Sequence, residues 1–141
     1  MELFLPKIDK AIIGEFYEVD KIINRTRELD LVSVVCCNNP KVCAAAGYLN
    51  PNVITIEPPE LIGTKIASSK AKPEVLLETV KLLRQTNPNV IILCGAGITT
   101  GEDVASALEL GTDGVLVASG VVKAKSPYKV LKEFTEAMNK H

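Results

Sequence analysis

Residues 89–120 read NVIILCGAGITTGEDVASALELGTDGVLVASG, and this stretch decides the fold. It contains two short apolar runs, residues 90–94 and residues 114–117, in which apolar side chains do not alternate with polar ones. Such runs are typical of parallel strands that are buried on both faces. Between them, residues 102–110 have helical spacing and stop at Gly111. A strand, a helix and a second strand in this order predict a βαβ unit with a right-handed crossover.

The same alternation extends upstream and downstream of this stretch. The further predicted strands are residues 31–37 and 53–56, and the further predicted helices are residues 17–29, 74–85 and 127–139. In the last helix, the predicted buried stripe comprises Val130, Leu131, Phe134 and Met138. Residues 1–15 are ambiguous, with residues 11–13 a candidate for one more strand. Because no linker, low-complexity tract or charge block interrupts the chain, we predict a single domain over residues 1–141.

The composition argues against two classes of partner. The formal net charge is −1 and aromatic residues make up only 4% of the chain, so we predict no nucleic-acid partner. No run approaches the roughly 18 apolar residues of a membrane span, and the N-terminus lacks the pattern of a signal peptide. We therefore predict no membrane partner and a cytoplasmic location.

The cysteines Cys36, Cys37, Cys43 and Cys94 do not form a Cys-x-x-Cys pair of the kind found in metal sites. Three of them lie in or beside apolar runs, so we expect buried, reduced thiols. A cysteine nucleophile or a zinc ligand would need a histidine nearby, and the only histidine is His141 at the end of the sequence. We predict neither a metal site nor a cofactor.

Two clusters of small residues follow the two strands of the opening stretch. They are Gly95-Ala96-Gly97 and Ala118-Ser119-Gly120, and six of the nine glycines lie between residues 95 and 120. Small residues after a parallel strand let backbone N–H groups approach an anion, and the next helix adds its positive end. In barrels, phosphate is often bound by the loops after the last two strands. The pattern predicts a phosphate site, with tight turns that bind no ligand as the alternative.

Glu57 directly follows the apolar run of residues 53–56, at the strand end where barrel enzymes keep their catalytic groups. A carboxylate leaving an apolar strand is partly desolvated, which makes it a better proton acceptor. Pro58-Pro59 stiffens the exit, and Gly63-Thr64 suits the far hinge of a lid. We predict that Glu57 is a general base, with a surface ion pair as the alternative, and that Glu60 is a solvated lid residue.

Five motifs in these regions resemble the triosephosphate isomerases of the compact archaeal type. They are IEPPELIGT (56–64), SKAKPEV (69–75), LCGAGI (93–98), TGEDV (100–104) and ALELGTDGVLVASGV (107–121). Their order and spacing match that family over roughly residues 16–137, whereas neighbouring phosphate-binding barrels share only the Gly-Thr-Asp-Gly-Val element. The resemblance implies a TIM barrel, a small phosphorylated substrate and no cofactor.

The resemblance also implies roles for individual residues, and these roles are the family's own. Glu57 matches the general base that moves a proton between two carbons of a triose phosphate. Residues 58–65 match the closing lid, and the backbone N–H groups of the phosphate cradle match Ile62 or Gly63, Gly97, Ala118 and Ser119. Lys65 departs from the pattern because the family has a glycine there, and a residue with a Cβ would stiffen the hinge.

The chain is shorter than a whole barrel, which needs about 200 residues. The resemblance therefore implies a partial (half) TIM barrel, the C-terminal half of the enzyme. The family's Asn and Lys on the first strand and its electrophilic His on the fourth have no match in this sequence. Without that electrophile the reaction would lose a hydrogen-bond donor worth about 3–4 kcal/mol, so we expect poor turnover by the chain alone.

A half barrel leaves two strand edges and one sheet face uncovered, so we expect a partner. Our leading hypothesis is a triosephosphate isomerase-like enzyme that is completed by a complementary half-barrel chain or by a second copy in a homo-oligomer. The first alternative is a non-catalytic phosphate-binding or assembly module derived from such an enzyme. The second is a different phosphosugar enzyme that uses Lys65 or Glu15 as its acid.

Overall fold

A computed structural model of the chain describes residues 16–62 and 66–141. The candidate strand at residues 11–13 lies outside this part of the chain. The elements in order are α1 (Phe16–Glu28), β1 (Val34–Cys37), α2 (Pro40–Gly47), β2 (Val53–Ile56), a 3-10 turn (Pro59–Leu61), α3 (Ser68–Ala71), α4 (Pro73–Thr86), β3 (Ile91–Cys94), α5 (Gly101–Glu109), β4 (Gly114–Val115), α6 (Ser119–Val122) and α7 (Pro127–Met138).

The four strands form one parallel sheet in the order β1-β2-β3-β4. Each strand thus pairs with the next strand along the chain, and a helical connection joins every pair, as in a β/α barrel. Within the described residues the sheet is open, with β1 and β4 at its edges. The α/β class and the parallel β/α units predicted from the sequence are confirmed, and the architecture is a partial barrel that is not closed.

One face of the sheet carries the hydrophobic core. Alternate strand residues on this face are all buried: Val35, Cys37, Ile54, Ile56, Ile92 and Cys94. The helices cover them with Ile23, Cys43, Ala46, Leu76, Leu83, Val104, Ala107 and Phe134. The opposite face is covered unevenly, because Thr55 in the middle of the sheet is buried whereas Ile91 is half exposed. The prediction of strands buried on both faces is right for β2 and wrong at Ile91.

Helix α7 differs from its prediction in the stripe that it buries. The predicted stripe holds for Phe134, which is buried, but Leu131 and Met138 are 51% and 39% exposed. Helix α7 packs against α5, and it follows β4, the edge strand of the described sheet. Because the described sheet ends at β4, Leu131 and Met138 on this side of α7 are only partly covered within the described residues.

Three helices were not predicted: α2, α3 and α6. The first is the longest of them, and it begins at Pro40 after the N-cap residue Asn39, whose Oδ1 accepts a hydrogen bond from Val42 N at 3.0 Å. Asparagine at the N-cap followed by proline is a common start of a helix. The other two have four residues each, too few to show an apolar period.

Candidate functional site

A cavity of about 100 Å³ opens at the C-terminal ends of β2, β3 and β4. Its lining includes five of the residues that the sequence singles out: Glu57, Ile62, Gly97, Ala118 and Ser119. Gly63, the sixth, lies outside the described residues. The structure therefore brings the predicted base together with the described members of the predicted phosphate cradle, while their roles stay predictions.

Two features of the sheet position Glu57: its backbone pairs with β1, and the residue that its side chain crosses is a glycine. Its backbone N–H donates to Cys37 O at 2.8 Å, which extends the pairing of β1 with β2 by one residue. Its side chain crosses Gly95 so closely that a Cβ on Gly95 would lie 2.4 Å from the Glu57 Cγ. Gly95 thus makes the space that Glu57 occupies, a role that its position in a turn did not reveal.

The Cys36 thiol lies beside the Glu57 carboxylate on the neighbouring strand. Burial, the negative charge of Glu57 and a hydrogen bond to Glu57 together raise the pKa of Cys36 to about 12, and burial has the largest effect. The thiol is therefore protonated at neutral pH, and it can donate its hydrogen to the carboxylate. Cys36 was predicted only as a buried thiol, because the contact depends on the pairing of β1 with β2.

The loop after β3 fits against the chain that follows the predicted lid. Gly97 has a φ of +76°, and a Cβ on it would lie 1.8 Å from Ile66 O. Ser68 holds the same loop, since its Oγ donates to Gly95 O at 2.7 Å and its backbone N–H donates to Ala96 O at 3.3 Å. Any side chain at position 97 would separate the loop from residues 66–68.

The loop after β4 touches the loop after β3. A Cβ on Gly120 would lie 2.3 Å from Ile98 O, so the two backbones are in direct contact. Ser119 and Gly120 open α6, and the first N–H groups of any helix have no acceptor within that helix. The two predicted halves of the phosphate cradle therefore form one continuous backbone surface next to Glu57.

Asp103 holds the backbone of Thr99 and Thr100, which follows the loop after β3. Its carboxylate is buried and accepts hydrogen bonds from the backbone N–H groups of Thr99 and Thr100, both at 3.0 Å, and it pairs with Lys70 at 3.0 Å. Burial alone would raise the pKa of Asp103, but these bonds hold it below its usual range. The sequence suggested only a favourable charge at a helix start, whereas the structure shows a buried capping box.

We expect Asp103→Asn to weaken the fold at neutral pH by about 1–3 kcal/mol, the cost of disrupting a buried charged network. Because the folded pKa is depressed, the stabilisation is present above the unfolded pKa near 3.8 and is lost as pH falls through the lower folded value. Denaturant melts of both proteins from pH 7 to pH 2 should converge at the acid end. Glu102→Gln is the control, because Glu102 is an exposed neighbour that also contacts Lys70. Its free energy of unfolding should match that of the unchanged chain at every pH.

A second, larger cavity of about 380 Å³ lies at the opposite, N-terminal ends of the strands. It is lined mainly by polar residues such as Arg27, Asn50, Asn52 and Asn87, and it contains none of the predicted site residues. In β/α barrels this end contributes to stability, and the active sites are at the other end. The smaller cavity is therefore the better candidate.

Other kinds of site find little support in the described part of the chain. No group of three or more His, Cys, Asp or Glu residues there could hold a metal ion. Three of the four cysteines, Cys37, Cys43 and Cys94, are buried as predicted, and burial raises the pKa of Cys94 to about 11. No helix among residues 16–62 and 66–141 is long and apolar enough to cross a membrane.

Parallel β/α units with a carboxylate and two small-residue loops at the C-terminal end of the sheet are typical of the β/α-barrel proteins. Comparison with known proteins narrows the class. The sequence model described as "Triosephosphate isomerase" matches residues 12–138. This chain belongs to the triosephosphate isomerase family.

Individual relatives agree with this assignment. The chain is 50% identical over 121 residues to the triosephosphate isomerase of Methanothermus fervidus, covering 86% of this chain and 54% of that protein. It is 53% identical over 116 residues to that of Archaeoglobus fulgidus, covering 82% and 52%. The chain therefore spans about half the length of the curated relatives that it matches.

Solved structures with a similar fold support the fold assignment of this chain and nothing beyond it. The Amycolatopsis orientalis BexX/CysO complex contains a chain that matches with a TM-score of 0.68 at 17% identity, covering 92% of this chain and 48% of that one. The N-acetylmannosamine-6-phosphate 2-epimerase from Clostridium perfringens matches with a TM-score of 0.59 at 19% identity, covering 84% and 48%. In both cases the matched region makes up about half of the solved protein's chain.

Proposed function

We propose that this chain is the C-terminal half of a triosephosphate isomerase, which interconverts glyceraldehyde 3-phosphate and dihydroxyacetone phosphate when a complementary half completes the barrel. The observation that carries the proposal is that Glu57 lines the same cavity as Gly97, Ala118 and Ser119. Family membership adds the reaction class, and the proposal places the activity in cytoplasmic glycolysis and gluconeogenesis.

In this proposal the two loops hold the phosphate of the substrate. The backbone N–H groups of Gly97, Ala118 and Ser119 donate to the phosphate oxygens, as small-residue loops do in other anion sites. Holding the phosphate places the carbon chain of the triose over Glu57. Fixing a reactant beside the catalytic group in this way lowers the entropic part of the barrier.

Glu57 then acts as the base. Its carboxylate removes a proton from the hydroxyl-bearing carbon next to the carbonyl, which leaves an enediolate. It returns this proton to the former carbonyl carbon, while the hydroxyl proton passes to the former carbonyl oxygen. The protonated Cys36 thiol supplies a hydrogen bond to the carboxylate, and Gly95 leaves room for the side chain. The donor for the enediolate oxygen comes from the complementary half, because the sequence has no histidine except His141.

The described part of the proposed lid is anchored at its start. The 3-10 turn Pro59–Leu61 follows Glu57 closely, and Glu60 forms an ion pair with Lys72. Ile62, at the end of the described segment, is exposed and lines the cavity. Lid closure would bring this apolar side chain over the substrate and exclude water, which strengthens the interactions made inside the site.

The test is an isomerase assay on the chain alone and on the chain mixed with an amino-terminal half of a relative. We expect the chain alone to show little turnover and the mixture to show turnover that saturates with the added half. A mixture that forms a complex and binds dihydroxyacetone phosphate without converting it would reject the enzymatic proposal.

That rejecting outcome is also the signature of a second candidate function, a non-catalytic phosphate-binding or assembly module. The observation that favours it is the absence of a histidine outside position 141, combined with small-residue loops that remain in contact around the cavity. Such a module needs the loops and does not need Glu57. It would keep its ligand affinity when Glu57 is changed to glutamine.

A further inference from the structure

The hydroxyl of Ser68 is fully buried against the loop after β3. Its Oγ lies 2.7 Å from Gly95 O, 3.1 Å from Cys94 Sγ and 3.4 Å from Ala96 O. A hydroxyl has one hydrogen and a carbonyl has none, so Ser68 donates to Gly95 O, at the shortest of these distances. The Cys94 thiol then supplies the hydrogen between sulfur and oxygen. Burial raises the pKa of Cys94 to about 11, so the thiol keeps this hydrogen at neutral pH.

These bonds hold a backbone that would not keep its conformation unaided. Ala96 has a φ of +66°, and a left-handed backbone costs a residue with a Cβ about 1–2 kcal/mol. Its neighbours Gly95 and Gly97 lack the side chains that restrict a backbone. The backbone N–H of Ser68 adds a second bond, to Ala96 O at 3.3 Å. Ser68 therefore binds the carbonyls of two successive residues in a strained and otherwise adaptable loop.

Binding of these carbonyls determines where the next two N–H groups point. In a planar trans peptide the C=O and the N–H point in opposite directions. Since Gly95 O and Ala96 O face Ser68, the N–H groups of Ala96 and Gly97 face away from it. Ala96 and Gly97 line the cavity that contains Glu57, and Ser68 does not. Within residues 16–62 and 66–141 neither of the two N–H groups has an acceptor, so both are left for a ligand.

We propose that Ser68 is a positioning residue, which holds the loop after β3 so that the N–H groups of Ala96 and Gly97 face the phosphate of the substrate. The inference rests on the proposed function, because it takes a phosphorylated molecule as the ligand of the cavity. It adds to that function a residue outside the cavity, and it adds the N–H of Ala96 to the predicted phosphate cradle. Donors that are already oriented need no reorganisation when the anion binds, which favours binding.

The test is to remove the hydroxyl by Ser68→Ala, which leaves the backbone N–H bond to Ala96 O in place. We expect this change to weaken the binding of dihydroxyacetone phosphate to the 141-residue chain about five- to tenfold, the effect of one neutral hydrogen bond. Titration calorimetry measures this affinity without relying on turnover. In NMR spectra at saturating ligand, the shift that the ligand causes at the Ala96 amide should shrink, while the shift at Ser119 is kept.

Ser69→Ala is the matched control. Ser69 is the next residue and is also buried, but its hydroxyl donates to Asp103 O, at 3.4 Å, and not to the loop after β3. We expect this control to bind the ligand like the unchanged chain. Thermal melts establish that both variants are folded.

Ser68→Thr separates a positioning role from a merely structural one. It keeps the hydroxyl and adds a methyl group to a fully buried site, which costs stability. A structural role would make its binding the weakest of the series. The positioning role predicts that Ser68→Thr binds dihydroxyacetone phosphate more tightly than Ser68→Ala does.

The outcomes distinguish this inference from the proposed function. Equal affinities of Ser68→Ala and Ser69→Ala, or weaker binding by Ser68→Thr than by Ser68→Ala, would overturn the role of Ser68 and leave the proposed function standing. Failure of the unchanged chain to bind dihydroxyacetone phosphate would overturn both. The expected order of affinities without turnover in the completed barrel would reject the proposed function and support the role of Ser68.

Discussion

Replacing Gly97 with alanine is expected to weaken the binding of dihydroxyacetone phosphate by about 10- to 100-fold. The backbone at this position has a φ of +76°, and a left-handed backbone costs a residue with a Cβ about 1–2 kcal/mol. The new methyl group would also lie 1.8 Å from Ile66 O, so the loop must move. Moving it withdraws N–H donors from the phosphate, and each such charged hydrogen bond is worth about 1.5–3 kcal/mol.

Gly111→Ala separates the effect on the site from the effect on the backbone. Gly111 also has a positive φ, of +92°, but the nearest atom to an added Cβ is a Val80 side-chain carbon at 3.3 Å. Its replacement should lower the melting temperature while the affinity for dihydroxyacetone phosphate is kept. Titration calorimetry with dihydroxyacetone phosphate measures the affinity of both variants and so separates the two effects. An unchanged affinity in Gly97→Ala would show that the loop after β3 does not hold the phosphate.

Replacing Glu57 with glutamine is expected to lower kcat of the completed barrel by two to four orders of magnitude, the usual contribution of a general base at about 10²–10⁴-fold. Glutamine has nearly the same shape, so it still fits over Gly95, but it cannot accept the substrate proton. Binding of dihydroxyacetone phosphate should remain nearly unchanged, because the phosphate contacts come from the loops. Steady-state kinetics and calorimetry on the same preparation measure the two effects.

Glu60→Gln is the control for this change. Glu60 is an exposed carboxylate three residues further along, paired with Lys72 at the start of the lid. Its replacement should change kcat far less than the replacement of Glu57 does. If the two variants lost activity to the same extent, Glu57 would have no special chemical role and the enzymatic proposal would fail.

The strands and the site were predictable to the extent that local sequence decides them. The strand of residues 53–56 has the predicted bounds, because it is buried at every position and ends where Glu57 and the prolines follow. The predicted cradle residues Gly97, Ala118 and Ser119 line one cavity because the C-terminal ends of parallel strands meet at the same end of a sheet.

The errors have causes that local sequence does not contain. The exposure of Leu131 and Met138 depends on what lies next to β4, and an apolar period gives no information about which neighbours are present. The space that Gly95 makes for Glu57, and the ion pair of Asp103 with Lys70, join residues that are far apart in the sequence. Helix α2 is different, because Asn39-Pro40 is a local start signal that predicts it.

The most direct test of the account is to follow the backbone amide signals of the 141-residue chain by NMR while dihydroxyacetone phosphate is added. Dihydroxyacetone without the phosphate serves as the control ligand. We predict that the phosphorylated ligand shifts the signals of Gly97, Ala118 and Ser119 most strongly and that the control ligand does not. Shifts centred on Arg27 and Asn52 in the larger cavity at the other end of the sheet, or equal shifts with both ligands, would contradict it.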